Sequence, residues 1–469
     1  MALNRYEESV IKNSKLPASW QSAKALAELD DFLQQNWAQR SVFYEDGKVE
    51  SRQQFLGFVG NQGIRTKNYI GTIVFNGEQL NIFPKVFRES RDEFGTEDLS
   101  LKHLMYNLVR WLEYCNRMAY PFINISAELN DAADLRELFI TLYIGYVRSA
   151  IERGLYYRYV DETSDLSTIK GKFDIKDYLI NKIPNGKADK FQCTYSKFEF
   201  DNTINRVIKY TCRLLFNITS KRNQKAIRNI LIRLSEVSDV PCQPSDCDRI
   251  RLSRMQSQYR IIMSMSKMFL LNKTSGYTMD INESFCFLFP TELLFEGFIG
   301  GFMQEVVEGF GGKVRLQQSE MHLIEDIQYA GHSLGAAFTM RHDILVELKG
   351  SVFILDTKYK MVSRFEGDTE EVKRIVSEEP KQTDIYQVCE YARKRGISDV
   401  YLLYPMFRYE EENEPHFPVG KSQGASGDIN IHFIRLPFVF EADEDKIKRQ
   451  LTDVINTIFK LQYEEISVK

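Results

Sequence analysis

The chain has 469 residues, too many for one core and enough for about three domains at roughly 100–200 residues each. Hydrophobic residues make up 43% and charged residues 27%, with 26 glycines and 12 prolines, which excludes disorder, collagen and coiled coil as whole-chain descriptions. A formal net charge of −4 gives no overall pull toward a polyanion, so such a partner would have to meet a local basic surface.

Residues 1–15 mix Arg5, Glu7, Glu8, Lys12 and Lys15, so they lack the apolar run of a signal peptide, and a cytoplasmic chain is expected. The first 95 residues open with a helical pattern and continue as short alternating runs at 41–44, 54–59, 71–75 and 79–83. Turns are expected at Asp46-Gly47 and Asn76-Gly77, the second being a strong hairpin signal. From about residue 98 the period becomes helical, with Leu101, Leu104, Met105, Leu108 and Leu112, then Leu135, Leu138, Phe139 and Leu142. Strands and loops are expected over 155–200 and two long helices from there to about Asn272.

Between Asn202 and Ser235 no acidic residue occurs, while Arg206, Lys209, Arg213, Lys221, Arg222, Lys225 and Arg228 all fall inside. Apolar residues at helical spacing make these amphipathic basic helices. A solvated outer face explains them; a surface tracking phosphates or a partner is the sharper alternative.

The last 190 or so residues change rhythm. A helix is expected over 290–310, strands at 313–317, 338–348 and 352–359, a charged loop over 360–382, a helix over 382–395, strands at 400–404 and 429–436, and a closing helix striped by Ile447, Leu451, Val454, Ile455 and Ile458. The most apolar window, 284–303, is interrupted by Glu292 and Glu296, so no membrane span is expected. The seven cysteines are odd in number and scattered, and read as buried small hydrophobes. Cys242 and Cys247 lack the third and fourth ligands that structural zinc requires. The six histidines form no cluster.

The strongest candidate site spans Arg341-His342-Asp343 and, beyond a turn at Lys349-Gly350-Ser351, Asp356-Thr357-Lys358. Two strands joined by a tight turn bring Asp343 and Asp356 together, and strand alternation puts Asp356 and Lys358 on one face. Such a cluster suits magnesium, with Asp343, Asp356 and the Thr357 carbonyl as ligands. The metal would polarise a phosphodiester and activate a water, and Lys358 would orient that water or offset developing charge. A cross-strand salt bridge would use the same residues, but the apolar run Val352-Phe353-Ile354-Leu355 reads as an interior strand, where ions seldom serve stability. Glu296 sits on a helix beside Gly297, Gly300 and Gly301, small enough for close backbone approach. Gln387 and Tyr391 share one helix face.

This arrangement of Glu296, Asp343, Asp356-Thr357-Lys358 and Gln387-x-x-x-Tyr391 resembles the PD-(D/E)XK nucleases, and specifically the McrC family of methylcytosine-dependent restriction systems. The likeness extends to Leu294-Phe295-Glu296, Ile169-Lys-Gly-Lys-Phe173, Phe200-Asp-Asn202 and Asn205-Arg206, and covers roughly 100–465, with 71–85 matching longer members. His342 stands where the family tends to have proline. The resemblance implies an α+β multidomain chain: a β-rich N-terminal domain (1–95), a mainly helical middle domain with a β insertion for partner or DNA contact (96–275), and a C-terminal nuclease domain with a mixed central sheet (276–469). It implies the DNA-cleaving subunit of a type IV restriction endonuclease in bacterial or archaeal phage defence, with Glu296, Asp343, Asp356, Lys358, Gln387 and Tyr391 catalytic. It also implies a hexameric AAA+ GTPase partner of the McrB type, which binds the GTP and whose turnover this chain stimulates.

Two other motifs compete. Gly420-Lys421-Ser422 is not a phosphate-binding loop, because Pro415 stands where the upstream glycine is required. Gly331-His-Ser333-Leu-Gly335 matches a serine-hydrolase elbow, with Asp356 or Asp384 and His416 or His432 as partners, but the expected helices before it and strand after it are the wrong context. A standalone repair nuclease and a non-cleaving activator of the GTPase are further alternatives; the aspartates and lysine argue against the latter.

Overall fold

The computed structural model describes residues 2–37, 52–59, 63–88, 100–115, 135–154, 156–252, 256–274, 284–408, 417–424, 427–441 and 444–459. Two compact units emerge, Met1–Leu135 with Glu283–Lys469, and Arg136–Asn282.

In place of the expected opening helix, the chain begins with strands β1 (Ala2–Tyr6) and β2 (Val10–Lys12), and helix α1 (Ala23–Asn36) comes later. The reason is a pairing that no local pattern reveals: β1 runs parallel to a strand some 75 residues away in sequence, with Ala2 opposite Gln79. Strand β4 (Gly63–Thr66) pairs with β2 on one side and with β3 (Leu56–Phe58) on the other, and β5 (Tyr69–Phe75) and β6 (Glu78–Phe83) form the expected hairpin. Asn76 and Gly77 take φ of 51° and 73°, the two positive values of a type I′ turn. The expected strand at 41–44 and turn at Asp46-Gly47 lie outside the described residues. Trp20 seals the β5 end, fully buried and donating its indole N–H to the Phe75 carbonyl at 3.0 Å. Helix α2 (Leu101–Tyr114) follows.

The second unit runs from α3 (Leu135–Arg153) through strands β7 (Arg158–Leu166) and β8 (Lys172–Phe173), a single turn α4 (Ile175–Asp177) and β9 (Phe191–Glu199), a sheet in the order β7-β9-β8. Helices α5 (Thr203–Phe216), α6 (Lys221–Arg233), a short α7 (Pro244–Asp248) and α8 (Ser257–Thr274) complete it, so three long helices stand where two were expected. Asn202 and Ser220 cap α5 and α6, each accepting from the main chain three residues on.

Strand β10 (Phe285–Pro290), unforeseen from sequence, pairs with β5, giving a four-stranded sheet β1-β6-β5-β10 that joins the N-terminal segment to a strand far along the chain. It feeds directly into helix α9 (Thr291–Gly309). The central sheet then collects β11 (Lys313–Ile324), β14 (Ala337–Leu348), β15 (Ser351–Thr357), β16 (Asp399–Pro405), β18 (Ile429–Leu436) and β17 (Val419–Ser422) in that spatial order; β12 (Gln328–Tyr329) and β13 (His332–Ser333) form a small separate hairpin. The sheet is mixed: β15, β16 and β18 run parallel, the remaining pairs antiparallel. Lys349 and Gly350, both at positive φ, close the β14–β15 hairpin. The charged segment expected to be a loop contains a helix, α10 (Thr369–Glu378), capped by the Asp368 carboxylate; its acidic and basic residues hide a narrow apolar stripe whose buried member is Ile375. Helix α11 (Gln382–Arg395) ends at Gly396 in the left-handed conformation and carries the chain from β15 to β16. Helix α12 is Glu444–Phe459.

Helix α9 is held close on two sides. A Cβ on Gly301 would lie 1.9 Å from the Tyr114 carbonyl of α2, and one on Gly300 would lie 2.8 Å from Leu316 of β11. Close approach, expected from these glycines, is what they provide. Trp111 of α2, fully buried, stacks on Phe438 at 4.2 Å and donates to its carbonyl at 2.7 Å. On the sheet, Val388, Cys389 and Ala392 of α11 join Ile354, Val400 and Leu402 in one core, which fixes the helix face bearing Gln387 and Tyr391. Among the described residues no helix is long and apolar enough to cross a membrane.

Candidate functional site

The end of β15 leaves an apolar interior and becomes ionic within three residues. Ile354 and Leu355 are fully buried, and Asp356 is as well. Across the hairpin, Ile344 pairs with Leu355, so Asp343 faces the Asp356-Thr357 step. Asp343 Oδ2 accepts the Thr357 main-chain N–H at 2.8 Å and the Thr357 hydroxyl at 2.9 Å. The Lys358 ammonium pairs with the Asp356 carboxylate, as strand alternation predicts, and donates to Gln387 Oε1 at 3.3 Å. Gln387 in turn donates through Nε2 to the Tyr391 hydroxyl at 2.7 Å. The ring of His342 packs on Tyr391 with centroids 4.5 Å apart.

Electrostatics tie Glu296 to the same cluster. Burial, then the charges of Asp343 and Asp356, push its carboxyl up to about 9. Burial and Asp343 push Asp356 up to about 7 despite the pull of Lys358. Burial raises Asp343 also. Lys358 is held above the usual lysine value: burial pulls it down, and the attraction of Asp356, Asp343 and Asp384 outweighs that. An ion pair and hydrogen bonds join Asp356, Lys358, Gln387 and Tyr391, Asp343 is bonded to Thr357 beside them, and Glu296 is near enough to feel the charges of both aspartates.

Three further neighbours were not read as site residues. Lys360 pairs with the buried Asp384, whose charge also bears on Asp356. The Tyr404 hydroxyl is buried without a hydrogen-bond partner among the described residues, and burial, Asp384 and Asp356 all raise its pKa. Lys360 follows Lys358 by two residues and Asp384 precedes Gln387 by three, so both adjoin residues that were singled out; Tyr404 reads as one more apolar residue of its strand.

The carboxylate oxygens are the donor type that a hard divalent cation takes, and Asp356 Oδ1 has no hydrogen-bond partner among the described residues. As placed, no three Asp, Glu, His or Cys side chains among the described residues close on a common point.

The basic helices of the second unit differ from expectation. Arg206 is clasped by Asp201 at 2.7 and 2.9 Å, Arg213 pairs with Asp239 at 2.7 Å, and Lys209, 5% exposed, donates to the Val237 carbonyl. The acids lie just outside the acid-free run, which is why the run looks uncompensated in sequence. Lys221, Arg222, Lys225 and Arg228 on α6 are exposed. The competing motifs have the wrong geometry. Gly420-Lys421-Ser422 lies in edge strand β17. Ser333 sits in the small β12–β13 hairpin, bonded to Asp326, and a strand follows where an elbow needs a helix. The cysteines are free; Cys242 is half-buried and the others buried.

A family described as McrBC 5-methylcytosine restriction system component matches residues 64–405. The chain belongs to this family. Its fold is similar to that of a chain in a refined half-complex from a tetradecameric assembly of Thermococcus gammatolerans McrB AAA+ hexamers with bound McrC: TM-score 0.60, 15% identity, covering 97% of this chain and 100% of that one. A chain from the Thermococcus gammatolerans McrBC complex aligns at TM-score 0.45 and 16% identity over 65% of this chain and 88% of that one. No curated protein matches.

Proposed function

We propose that this McrBC-family chain is the DNA-cleaving subunit of a GTP-dependent, modification-dependent restriction endonuclease, with a PD-(D/E)XK nuclease domain at 276–469. The observation that carries the reading is the relay Asp356–Lys358–Gln387–Tyr391 at the end of an interior strand, with Asp343 and Glu296 crowded against it. So much buried negative charge beside one lysine is poorly suited to stability alone, because desolvating carboxylates that also repel one another is costly.

In this reading Asp343, Asp356 and the Thr357 carbonyl would hold magnesium, which would supply Lewis-acid polarisation of a phosphodiester and acidify a water. Thr357 fixes the rotamer of Asp343 through its two donors. Lys358, steered by Gln387, turns from Asp356 toward the attacking water or the phosphate oxygens, offsetting negative charge that grows in the transition state. Tyr391 orients Gln387 and is itself held by His342. Glu296, whose carboxyl is pushed up by burial and by the neighbouring aspartates, is the group to donate or relay a proton.

The partner is a hexameric AAA+ GTPase of the McrB type, which binds the GTP. The similar fold of the Thermococcus chain, from an assembly described as containing such hexamers, supports this. Residues 1–95 and 96–275 would serve partner engagement, with Lys221, Arg222, Lys225 and Arg228 of α6 contacting the partner or DNA. The test combines the chain, the ring, GTP and supercoiled plasmid with and without modified sites. Cleavage only with ring, GTP and modified DNA is expected; efficient cutting of unmodified DNA by the isolated chain would make it a standalone nuclease instead.

A further inference from the structure

Among the described residues, the charged side chain most deeply buried outside the cluster is Glu7, just beyond β1, with no exposed surface. Its carboxylate is fully engaged. Oε1 accepts the main-chain N–H of Lys85 at 2.9 Å and the Tyr359 hydroxyl at 2.6 Å, and Oε2 accepts the Thr291 hydroxyl at 2.8 Å. The three donors come from the segment after β6, the residue following Lys358, and the first residue of the helix carrying Glu296. Its own N–H is bonded to the Phe83 carbonyl, and Glu8 turns the chain at a φ of 59°, a left-handed conformation that non-glycine residues seldom adopt.

Tyr359 is correspondingly immobilised. Its ring packs on Phe295, next to Glu296, at 5.9 Å and on Phe438 at 6.1 Å, and the Lys85 ammonium stands 4.7 Å over its face. On either side in sequence, Lys358 pairs with Asp356 and Lys360 pairs with Asp384. A buried carboxylate is an expensive way to join three segments when apolar side chains would do so more cheaply. Its directional bonds give what apolar contacts do not: one fixed rotamer for the tyrosine between two site lysines.

We propose that Glu7 and Tyr359 are positioning residues of the nuclease site, Glu7 holding Tyr359 so that Lys358 stands at its working place, and holding Thr291 so that Glu296 is presented by its helix. The N-terminal strand is thereby part of the cleavage machinery. This inference rests on the proposed nuclease reading.

The test compares wild type, Tyr359→Phe, Glu7→Gln, Glu7→Ala and Asp356→Ala, each with the GTPase ring, GTP, magnesium and modified plasmid. Tyr359→Phe keeps the ring and loses only the hydroxyl. It is expected to lower the single-turnover cleavage rate constant roughly 10- to 100-fold, the scale of a small misplacement of a catalytic group. The plasmid concentration at half-maximal rate, the thermal midpoint and stimulation of GTP turnover should stay as in wild type. Glu7→Gln, which keeps the Oε1 acceptor, should cut within about threefold of wild type, the conservative change preserving the geometry, and Glu7→Ala, if it folds, should fall with Tyr359→Phe. Wild-type cutting by Tyr359→Phe, or equal loss of cutting and GTPase stimulation, overturns the proposal. Undiminished cutting by Asp356→Ala overturns the nuclease reading itself, so the two failures are distinct.

Discussion

Asp343 Oδ2 receives both the main-chain N–H and the hydroxyl of Thr357, at 2.8 and 2.9 Å, so the residue after one site aspartate fixes the rotamer of the other. Two bonds to one oxygen anchor the Asp343 carboxylate through Oδ2. Thr357→Val removes the hydroxyl at nearly constant volume and should cost about 1 kcal/mol of stability. Cleavage should fall more steeply than stability, and Thr357→Ser should restore it. Chemical denaturation beside a plasmid assay measures both.

Glu296 gives a pH dependence with a definite sign. Its ordinary value of 4.5 is pushed up to about 9 by burial and by Asp343 and Asp356. A raised carboxyl contributes stability that is fully present below the unfolded value and lost as pH rises through the folded one. Glu296→Gln carries no such ionisation. Without divalent cations it should match wild type near pH 4, and exceed it progressively up to pH 9, by roughly 2–4 °C in Tm for each kcal/mol relieved. A Tm difference independent of pH would mean that Glu296 ionises freely in the fold.

Much of this site was legible because its parts are local: hairpin pairing joins Asp343 to Asp356, strand alternation joins Asp356 to Lys358, and helical spacing joins Gln387 to Tyr391. What escaped is non-local. β1 pairs parallel with β6, β10 completes a sheet begun by β5, and Glu7 reaches Tyr359; none of these leaves a periodic trace. Helix α10 was hidden by its charges, and the neutralisation of α5 by the position of its acids, Asp201 and Asp239, on either side of the acid-free run.

Gly301 supplies a stability test of the helix contact behind the site. Gly301→Ala places a methyl against the Tyr114 carbonyl, where a Cβ would sit at 1.9 Å. Helix propensity alone would favour alanine by up to about 1 kcal/mol. Backbone collision should reverse that, for a net loss of about 1–3 kcal/mol, the usual cost of overpacking. Gly309→Ala, at a position with open space around the Cβ, is the control and should not destabilise.

On the second unit, Lys221, Lys225 and Arg228 are the side chains to change, because Arg206, Lys209 and Arg213 are held within the unit. Replacing the three α6 cations with Gln should flatten the dependence of log affinity for duplex DNA on log salt by about 0.9 per lost contact. Arg206→Gln should leave that slope unchanged and lower Tm, since it strips Asp201 of its principal partner. An unchanged slope in the triple variant, with lost stimulation of GTP turnover, would assign α6 to the partner.

Asp356→Ala in the reconstituted reaction bears most directly on the central claim. Purified chain, GTPase ring, GTP and magnesium are mixed with plasmid carrying modified sites, and linear product and GTP hydrolysis are followed in the same tube. The account predicts that the variant stimulates GTP hydrolysis as wild type does while producing no linear DNA. Linear product at the wild-type rate would contradict it.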